Sequence, residues 1–530
     1  MEEAIKRLLL KYGKTIKNRS DLETIKRFVC KKEGLKTILN ADILQEYRNL
    51  LNLKEISQNE TLEKILRKRS IRTMSGIAPV AVLTESYPCP GHCAYCPHEK
   101  DVPVSYLSNE PAVMRAIRCH YDPYIQTISR LKALVNNGHQ PTKIELIVIG
   151  GTWSYLPKNY RYFYILNCFK AANDFSKYAF SSKEINSKEA YSRRLSLKKL
   201  KELLIKEQKR NEKSKYNIIG LTLETRPDYI NLDEVREMRE LGCTRVEIGV
   251  QAVDDDILKL NKRGHGVLEI ALATKLLKQF GFKVTYHLMP ALPGATPEKD
   301  LELFKKLFTD ERFQPDQIKF YPTVVTKGSL LYTWYKKGKY QPYSDAVLQK
   351  LIVDCKSFVP TYVRIIRLIR DIPSESIIAG NKITNLRQVM QQNGVKCNCI
   401  RCREAKDRAV KKYKINILKY KASGGIEYFI SADSYDKETL FGFCRLRIDK
   451  NSEISPAIIR ELHVYGELAT IGSKEKVQHR GLGIKMLALA EDLTRQEGLK
   501  KIAVISGVGV RNYYRKRGYR LKNTYLEKKI

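Results

Sequence analysis

Apolar positions along the chain follow two periods, and the change between them divides the sequence into parts. Residues 1–72 place apolar side chains such as Ile5, Leu8 and Leu9 three or four positions apart, which predicts amphipathic helices. From 73 to 390, short β-branched runs such as APVAVL, KIELIVIGG and RVEIGVQAV alternate with helical stretches. Apolar strands between helices indicate a parallel sheet covered by helices, so we expect an α/β fold with a complete or partial TIM-like (β/α) barrel.

The C-terminal part has a different pattern. After a cysteine-rich linker at 391–409, the strands EYFISA, LFGFCRLRID and IIRELHVYG follow one another, and a glycine-led helix and the strand KIAVISGV complete the set. Consecutive strands with few helices are typical of a small α+β domain, which we place at 410–530. The predicted order is therefore a basic helical segment, a barrel, a linker and an α+β domain.

The charge of the chain is strongly positive. Lys and Arg total 96 against 58 Asp and Glu, a formal net charge of +38, and residues 1–72 alone hold 18 basic and 10 acidic residues. This excess suits a polyanionic partner such as RNA. A lysine-rich proteome is the alternative source, because charged residues are also enriched in proteins from organisms that grow at high temperature.

Location follows from what the sequence does not contain. No run approaches the ~20 apolar residues of a membrane-spanning helix, and the first residues, MEEAIKRLLLKYGK, lack the cleavage site of a secretory signal. We therefore expect a cytoplasmic protein with no membrane partner. In that compartment, the twelve locally clustered cysteines favour metal ligation over disulfides.

The first cysteine cluster has the spacing C-x3-C-x2-C. Cys89, Cys93 and Cys96 follow the first predicted barrel strand, where the active-site loops of β/α barrels lie. Three thiolates can hold three irons of a 4Fe-4S cluster and leave the fourth open to S-adenosylmethionine (SAM), which would then be split into methionine and a 5′-deoxyadenosyl radical. A zinc site completed by His92 or His98 is the alternative.

Later strands of the predicted barrel end in residues that suit SAM. Glycines allow close approach of the backbone, a carboxylate can bind ribose or ammonium, and a guanidinium can bind a carboxylate. The alternative for the charged members is a structural Arg-Glu pair. The expected SAM contacts are Gly150, Gly151, Thr152, Glu224, Arg226 and Gln251.

The α+β domain carries a phosphate-binding pattern. Gln478, Gly481 and Gly483 in QHRGLGIKML match the Q-x-x-G-x-G loop of GNAT acetyltransferases at a strand-to-helix passage. Glycines free the backbone amides, and the following helix directs its positive dipole end at an anion, which predicts an acetyl-CoA site. Tyr513 and Tyr514 are candidate catalytic residues near the thioester, and core packing is their alternative role.

A second cysteine cluster, Cys397, Cys399 and Cys402, lies in the linker. Three thiolates suggest a structural zinc site. Cys355 or His120 could supply a fourth ligand, and free thiols in a turn are the alternative.

The order of these motifs, with MRAIR, IGGTW, LETRPDY, NKRGH and KFYPT among them, resembles the family of Elongator catalytic subunits, the tRNA uridine(34) acetyltransferases, from about residue 71 onward. The resemblance implies formation of 5-carboxymethyluridine at the wobble position of tRNA by SAM-derived radical chemistry, with acetyl-CoA as carbon donor. Its substrate partner would be the anticodon stem-loop. The chain would act as a monomer or homodimer, and other Elongator subunits are doubtful partners.

Carried onto this sequence, the family's residues add to the expected sites. The family's ligands of the iron-sulfur cluster correspond to the first cysteine cluster, Cys89, Cys93 and Cys96. Lys143 is unexpected among the acetyl-CoA contacts, because it begins a barrel strand instead of ending one. The rival hypothesis is a protein lysine N-acetyltransferase with a structural iron-sulfur domain. The acetyl-CoA contacts implied by the resemblance are Lys143, Glu461, Leu462, His463, Val464, Leu482, Gly483, Ile484 and Tyr514.

Overall fold

The computed structural model describes residues 1–67, 76–179, 184–383, 385–392, 394–405, 412–465 and 481–530. The predicted boundaries at 72/73 and 409/410 lie outside the described residues. Among the helices described, none combines the length and the apolar character that a membrane span requires.

The N-terminal segment forms a small helical unit with its own apolar core, which includes Leu8, Ile43 and Leu50. Its second helix begins with a capping box between Asn18 and Asp21. Two arginine side chains join the unit to the next domain by donating to carbonyl oxygens near the end of a helix of that domain, α6 Pro123–Asn136. The four helices of the unit are α1 Glu2–Tyr12, α2 Arg19–Lys32, α3 Asn40–Asn52 and α4 Glu60–Leu66, and the two joining bonds are Arg48 Nη2 to Val135 O at 2.7 Å and Arg67 Nε to Gly138 O at 3.1 Å.

The predicted barrel is a seven-stranded, all-parallel sheet in the order β1-β2-β3-β4-β5-β6-β8. Among the described residues β1 and β8 pair with no further strand, so the barrel is partial. The short strands β7 and β9 form a separate antiparallel pair. The strands are β1 Ala78–Leu83, β2 Lys143–Ile149, β3 Asn217–Thr225, β4 Arg245–Gln251, β5 Lys283–Leu288, β6 Gln317–Phe320, β7 Val325–Thr326, β8 Arg364–Arg367 and β9 Ile377–Ala379.

Helices cover the outer face of this sheet, and its strands are largely buried; β4, for example, is buried along nearly its whole length. Side-chain caps fix several helix starts, such as Asp122 before α6 and Ser344 before α14. The helices are α5 Pro111–Arg118, α6 Pro123–Asn136, α7 Lys158–Asp174, α8 Leu197–Asn211, α9 Leu232–Glu240, α10 Asp255–Leu260, α11 Val267–Gln279, α12 Pro297–Thr309, α13 Leu330–Lys336, α14 Asp345–Ser357, α15 Leu386–Gln392 and α16 Ile400–Arg403.

The C-terminal domain is a second seven-stranded sheet in the order β10-β11-β12-β13-β14-β16-β15, in which β13 and β14 are parallel and the other pairs antiparallel. Helix α17 packs on it, as the α+β prediction expected. The elements are β10 Lys414–Ala422, β11 Gly425–Asp433, β12 Leu440–Ile448, β13 Ala457–Val464, α17 Leu482–Gln496, β14 Lys501–Val504, α18 Arg511–Arg515, β15 Arg520–Lys522 and β16 Tyr525–Lys529.

This domain packs against the end of the barrel at which the strands begin. A Cβ added at Gly507 would lie 1.9 Å from the carbonyl oxygen of Ile219, the third residue of β3. Arg445 donates to the carbonyl of Tyr362 at 2.6 Å, just before β8, and Arg460 donates to that of Phe282 at 2.6 Å, just before β5. The first cysteine cluster follows β1 and therefore lies at the opposite end.

Candidate functional site

One cavity of about 830 Å³ runs through the partial barrel. The first cysteine cluster lines one end of it, and residues of the C-terminal domain, including Glu461 and Tyr514, line the other. Inward side chains of the strands form the wall between the two ends. The two predicted cofactor sites therefore open into one shared space.

The cysteine loop is built around Cys93, which is 6% exposed. Arg263 Nη1 donates to Cys93 Sγ at 3.2 Å, and Arg226 Nη1 lies 4.0 Å from the same sulfur. The hydrogen bond from Cys96 and the positive charge of Arg263 lower the pKa of Cys93, so this thiol ionises before that of Cys96. Cys89 Sγ lies 4.0 Å from Thr152 Oγ1.

The loop fits an iron-sulfur cluster better than a single metal ion. Sulfurs around a tetrahedral zinc with bonds of about 2.3 Å lie roughly 4 Å apart. Within the described part of the chain, Cys89, Cys93 and Cys96 do not form a metal-ligand group within 4.8 Å of one another, whether alone or with a histidine. Cys93 and Cys96 are close enough to hydrogen-bond, so Cys89 is the distant member, and three thiolates on one loop suit a multi-iron group with one open iron.

The glycines predicted to meet SAM have conformations that favour glycine. Gly150 has φ 139° and Gly151 has φ 99°, and a Cβ at Gly150 would lie 2.0 Å from Thr84 Oγ1. Gln251 ends β4 with φ 68°, and its buried Oε1 has no hydrogen-bond partner among the described residues. Together these features make a cradle that has space and an acceptor for a ligand.

The two charged residues of this set differ in availability. Glu224 lines the cavity and accepts a hydrogen bond from Tyr106 at 3.1 Å. Arg226 is already committed, because it pairs with Asp228 at 2.8 Å and donates to the carbonyl of Arg263 at 2.8 Å. The contacts of Arg226 are therefore those of a structural ion pair, the alternative role given above. Its partner, however, is Asp228 and not Glu224.

An ionic layer crosses the middle of the cavity. Glu247 accepts from His287 Nε2 at 2.9 Å and from Lys319, and Arg245 lies 3.9 Å away. Burial would raise the pKa of Glu247, but Lys319 and His287 outweigh it and lower that pKa, so Glu247 is a carboxylate. No role was assigned to these residues from the sequence, although polar side chains recur at alternate positions of β5 and β6, and of β4 except at Gly249.

At the far end, Glu461, Leu462 and His463 line the cavity, and Val464 ends the same strand. Burial would raise the pKa of Glu461, but Lys283 and Arg445 lower it. Burial lowers the pKa of His463 to about 4, and its Nε2 has no hydrogen-bond partner among the described residues. This end thus presents an ionised carboxylate beside a neutral imidazole.

The phosphate-binding pattern begins α17 as predicted. Gly481 is the N-cap residue with φ 70°, and as a glycine it has no side chain with which to cap the helix amides. Leu482 is buried, Ile484 is exposed, and a Cβ at Gly483 would lie 3.0 Å from the Tyr513 hydroxyl. Free amides at the start of a 15-residue helix fit a pyrophosphate. Gln478 lies outside the described residues.

The two tyrosines have different surroundings. Tyr514 is 6% exposed and lines the cavity. Tyr513 does not line it; its ring lies 3.5 Å from the Arg517 guanidinium carbon and faces the start of α17 through its hydroxyl. Tyr514 is therefore the one placed to meet a group inside the cavity.

Lys143 begins β2 and pairs with Asn217, the first residue of β3. A Cβ at Gly509 of the C-terminal domain would lie 2.5 Å from the Asn217 Cβ. The position of Lys143, which barrel geometry alone did not explain, is thus at the end where the acetyltransferase-type domain packs. Burial lowers its pKa.

The second cysteine cluster is compact. Cys397, Cys399 and Cys402 have sulfurs within 4.8 Å of one another, and no His, Cys, Asp or Glu elsewhere in the described part of the chain joins them. Hydrogen bonds from Cys397 and Cys402 lower the pKa of Cys399. Neither suggested fourth ligand, Cys355 or His120, belongs to the group.

Comparison with known proteins identifies both modules. The Radical SAM superfamily matches residues 86–307, the Radical_SAM C-terminal domain matches 315–394, and the acetyltransferase (GNAT) family matches 400–519. The tRNA uridine(34) acetyltransferase of Dehalococcoides mccartyi (strain CBDB1) is 42% identical over 482 residues, which are 87% of this chain and 100% of the relative. The chain belongs to the tRNA uridine(34) acetyltransferase family.

Two further members of this family are similar over most of the chain. The Elongator complex protein 3 of Bos taurus is 39% identical over 497 residues, 88% of this chain and 86% of that protein. A solved structure of archaeal Methanocaldococcus infernus Elp3 with an N-terminal deletion has a TM-score of 0.70 and 36% identity, and covers 86% of this chain and 99% of that one. Membership confirms the predicted fold. The radical SAM domain implies a 4Fe-4S cluster and SAM, and the GNAT domain implies acetyl-CoA.

Proposed function

We propose that this protein converts the wobble uridine of tRNA into 5-carboxymethyluridine, with acetyl-CoA as carbon donor. The observation that carries the proposal is the single cavity that joins the cysteine loop to the acetyltransferase-type domain. A reaction that uses both cofactors on one nucleoside needs such a shared space.

The residues divide the work by position. Cys89, Cys93 and Cys96 would hold the cluster, and the backbone at Gly150 and Gly151 would receive SAM. When bound there, the pair would supply radical chemistry able to activate the acetyl methyl group. The amides at the start of α17 bind the pyrophosphate of acetyl-CoA, and the buried barrel wall keeps water from the reacting carbons.

Thioester hydrolysis completes the product, and the far end of the cavity offers groups for it. Glu461 is ionised beside Lys283 and Arg445, and it lines the cavity together with Tyr514. A carboxylate at this place can accept a proton from attacking water. We assign Glu461 to that role and Tyr514 to orientation of the acetyl group.

We propose the anticodon stem-loop as the RNA element. Three arginines line the cavity near β1 and β8, the edge strands of the barrel sheet: Arg115, Arg367 and Arg370. Guanidinium groups bind phosphate well. A wobble base is already unpaired, so its removal from the loop costs little. Such a substrate favours the cytoplasm, and the protein would act as a monomer or homodimer without further Elongator subunits.

The rival hypothesis, a protein lysine acetyltransferase with a structural iron-sulfur domain, is not favoured. Its acceptor amine would have to reach the acetyl group from the protein surface. Glu461 and Tyr514 instead line a space that leads into the barrel.

For the linker cysteines we propose a structural zinc site made by Cys397, Cys399 and Cys402. Their compact spacing supports a small tetrahedral ion with its fourth position filled from outside the described residues or by solvent.

The experiment is anaerobic incubation of the reconstituted protein with tRNA, SAM, reductant and acetyl-CoA, followed by mass spectrometry of the nucleosides. We expect 5-carboxymethyluridine in the complete mixture and none when SAM or acetyl-CoA is omitted or with Cys93→Ser. Acetylation of a peptide lysine without SAM, and no modified uridine, would instead support the rival.

A further inference from the structure

A buried arginine contacts the cysteine loop without being one of the expected cofactor contacts. Arg263 is 6% exposed. Its Nη1 donates to Cys93 Sγ at 3.2 Å, and its Nη2 donates to the carbonyl of Gly249 at 2.6 Å. The second bond fixes the guanidinium to the end of β4, so the first is held in place.

The two arginines near Cys93 differ in how their charge is balanced. Arg226 pairs with Asp228, so that pair is neutral as a whole. Arg263 forms no ion pair with any Asp or Glu in the described ranges, and the atom of the cysteine loop to which it donates is Cys93 Sγ. The loop therefore has one positive charge that no carboxylate balances, directly beside a cluster ligand.

The surrounding backbone leaves room for both side chains. A Cβ at Gly249 would lie 2.5 Å from Arg263 Nη2, and a Cβ at Gly91, within the cysteine loop, would lie 2.1 Å from Arg226 Nη1. Two glycines at different places in the chain thus make space for these guanidinium groups. Because a side chain at either glycine would displace a guanidinium group, the backbone is shaped to hold both arginines beside the cysteine loop.

We propose that Arg263 is a positioning residue that raises the reduction potential of the iron-sulfur cluster through its charge and its hydrogen bond to Cys93. Net charge and hydrogen bonds to the sulfurs are among the factors that set such potentials. A nearby cation stabilises the more negative, reduced state, so the cluster accepts an electron from a milder donor. This inference rests on the proposed function, because it requires that the loop holds a cluster.

The test is a redox titration of the reconstituted full-length protein, without tRNA or acetyl-CoA, followed by the electron paramagnetic resonance signal of the reduced cluster. Arg263→Gln removes the charge, and we expect its midpoint potential to shift to more negative values. Arg263→Lys keeps the charge and should shift less. Asp228→Asn frees the charge of Arg226 and should shift the potential in the opposite, positive direction.

Arg236→Gln is the matched control, since Arg236 is an exposed arginine on α9 that pairs with Glu453, and its potential should equal that of the parent protein. Arg263→Gln with full iron content and an unchanged potential would overturn the inference. If that variant fails to hold iron, Arg263→Met, a second neutral replacement, decides: a negative shift supports the inference and no shift overturns it. A parent protein that assembles no cluster would instead overturn the proposed function.

Discussion

Arg460 of β13 forms a fully buried ion pair with Asp316, the residue that precedes β6 of the barrel. Arg460 Nη1 also donates to Asp316 Oδ1 at 3.0 Å and to Glu427 Oε2 at 2.9 Å. Lys278 lies 3.9 Å from Asp316 and 3.7 Å from Glu427. The two catalytic modules are thus joined by charges that have no access to water.

We expect Asp316→Asn to lower the free energy of unfolding by about 3–5 kcal/mol, because removal of one partner leaves buried cations without compensation. Urea unfolding at pH 7 measures it. Arg236→Gln breaks an exposed pair with Glu453 across the same two domains and should cost less than about 1 kcal/mol. Equal losses in the two variants would contradict the buried role.

Stability should fall as the pH is lowered from 6.5 towards 4, in part because of His463. Burial lowers its pKa to about 4, so in this window the unfolded chain binds a proton that the folded chain does not. At pH 5 this proton lowers the free energy of unfolding by about 2 kcal/mol. Comparison of urea midpoints at pH 7 and pH 5 should show a smaller loss for His463→Asn than for the parent. His265, whose pKa is lowered to about 3, contributes to the loss that remains.

Gly483→Val should weaken acetyl-CoA binding at least tenfold, about 1.4 kcal/mol. The added side chain would meet the Tyr513 hydroxyl and enter the space in front of the α17 amides. Isothermal titration calorimetry measures the affinity. Ala488→Val, at an exposed position of the same helix, should bind acetyl-CoA like the parent, and an unaffected Gly483→Val would place the pyrophosphate elsewhere.

Deletion of residues 1–67 should weaken tRNA binding and flatten its salt dependence. The segment is basic and has a core of its own, so its removal does not open the barrel. Each lost phosphate contact lowers the slope of log affinity against log salt by about 0.7–0.9. Fluorescence anisotropy at several salt concentrations tests this, and an unchanged slope would show that the RNA docks elsewhere.

Purified protein should contain zinc in addition to iron, and Cys399→Ser should lose the zinc while keeping the iron. Elemental analysis by mass spectrometry measures both metals. Cys30→Ser, in the N-terminal unit, should keep both. Zinc that persists in Cys399→Ser would exclude the linker as its site.

The sequence was sufficient for the two sheets because local periods of apolar residues specify them. It also indicated the cysteine loop and the glycines of α17, since both are short motifs whose chemistry depends on spacing alone. Fold and cofactor classes were therefore predictable from local patterns of residues.

The sequence did not reveal how the modules meet. Arg460 lies within β13 and Asp316 lies just before β6, and nothing in the neighbouring sequence distinguishes them from surface residues. The sequence also offered no reason for a cofactor contact at Lys143. The start of β2 lies near the second domain only because of how the two domains pack. The ionic layer of Glu247, His287 and Lys319 was missed for another reason. Polar and apolar residues visibly alternate along these strands, but the strands of a parallel sheet are normally expected to be apolar throughout.

The edges of β1 and β8, which pair with no further strand among the described residues, face each other across a gap that side chains bridge. Arg370, just after β8, donates to Ser105 Oγ at 3.0 Å and pairs with Glu110 at 3.3 Å, and both partners follow β1. Asn109 Nδ2 donates to Ser376 Oγ at 2.8 Å across the same gap. Such contacts can separate without breaking a ladder of backbone hydrogen bonds, so this side of the barrel can widen for a large substrate at a lower cost than a closed sheet could.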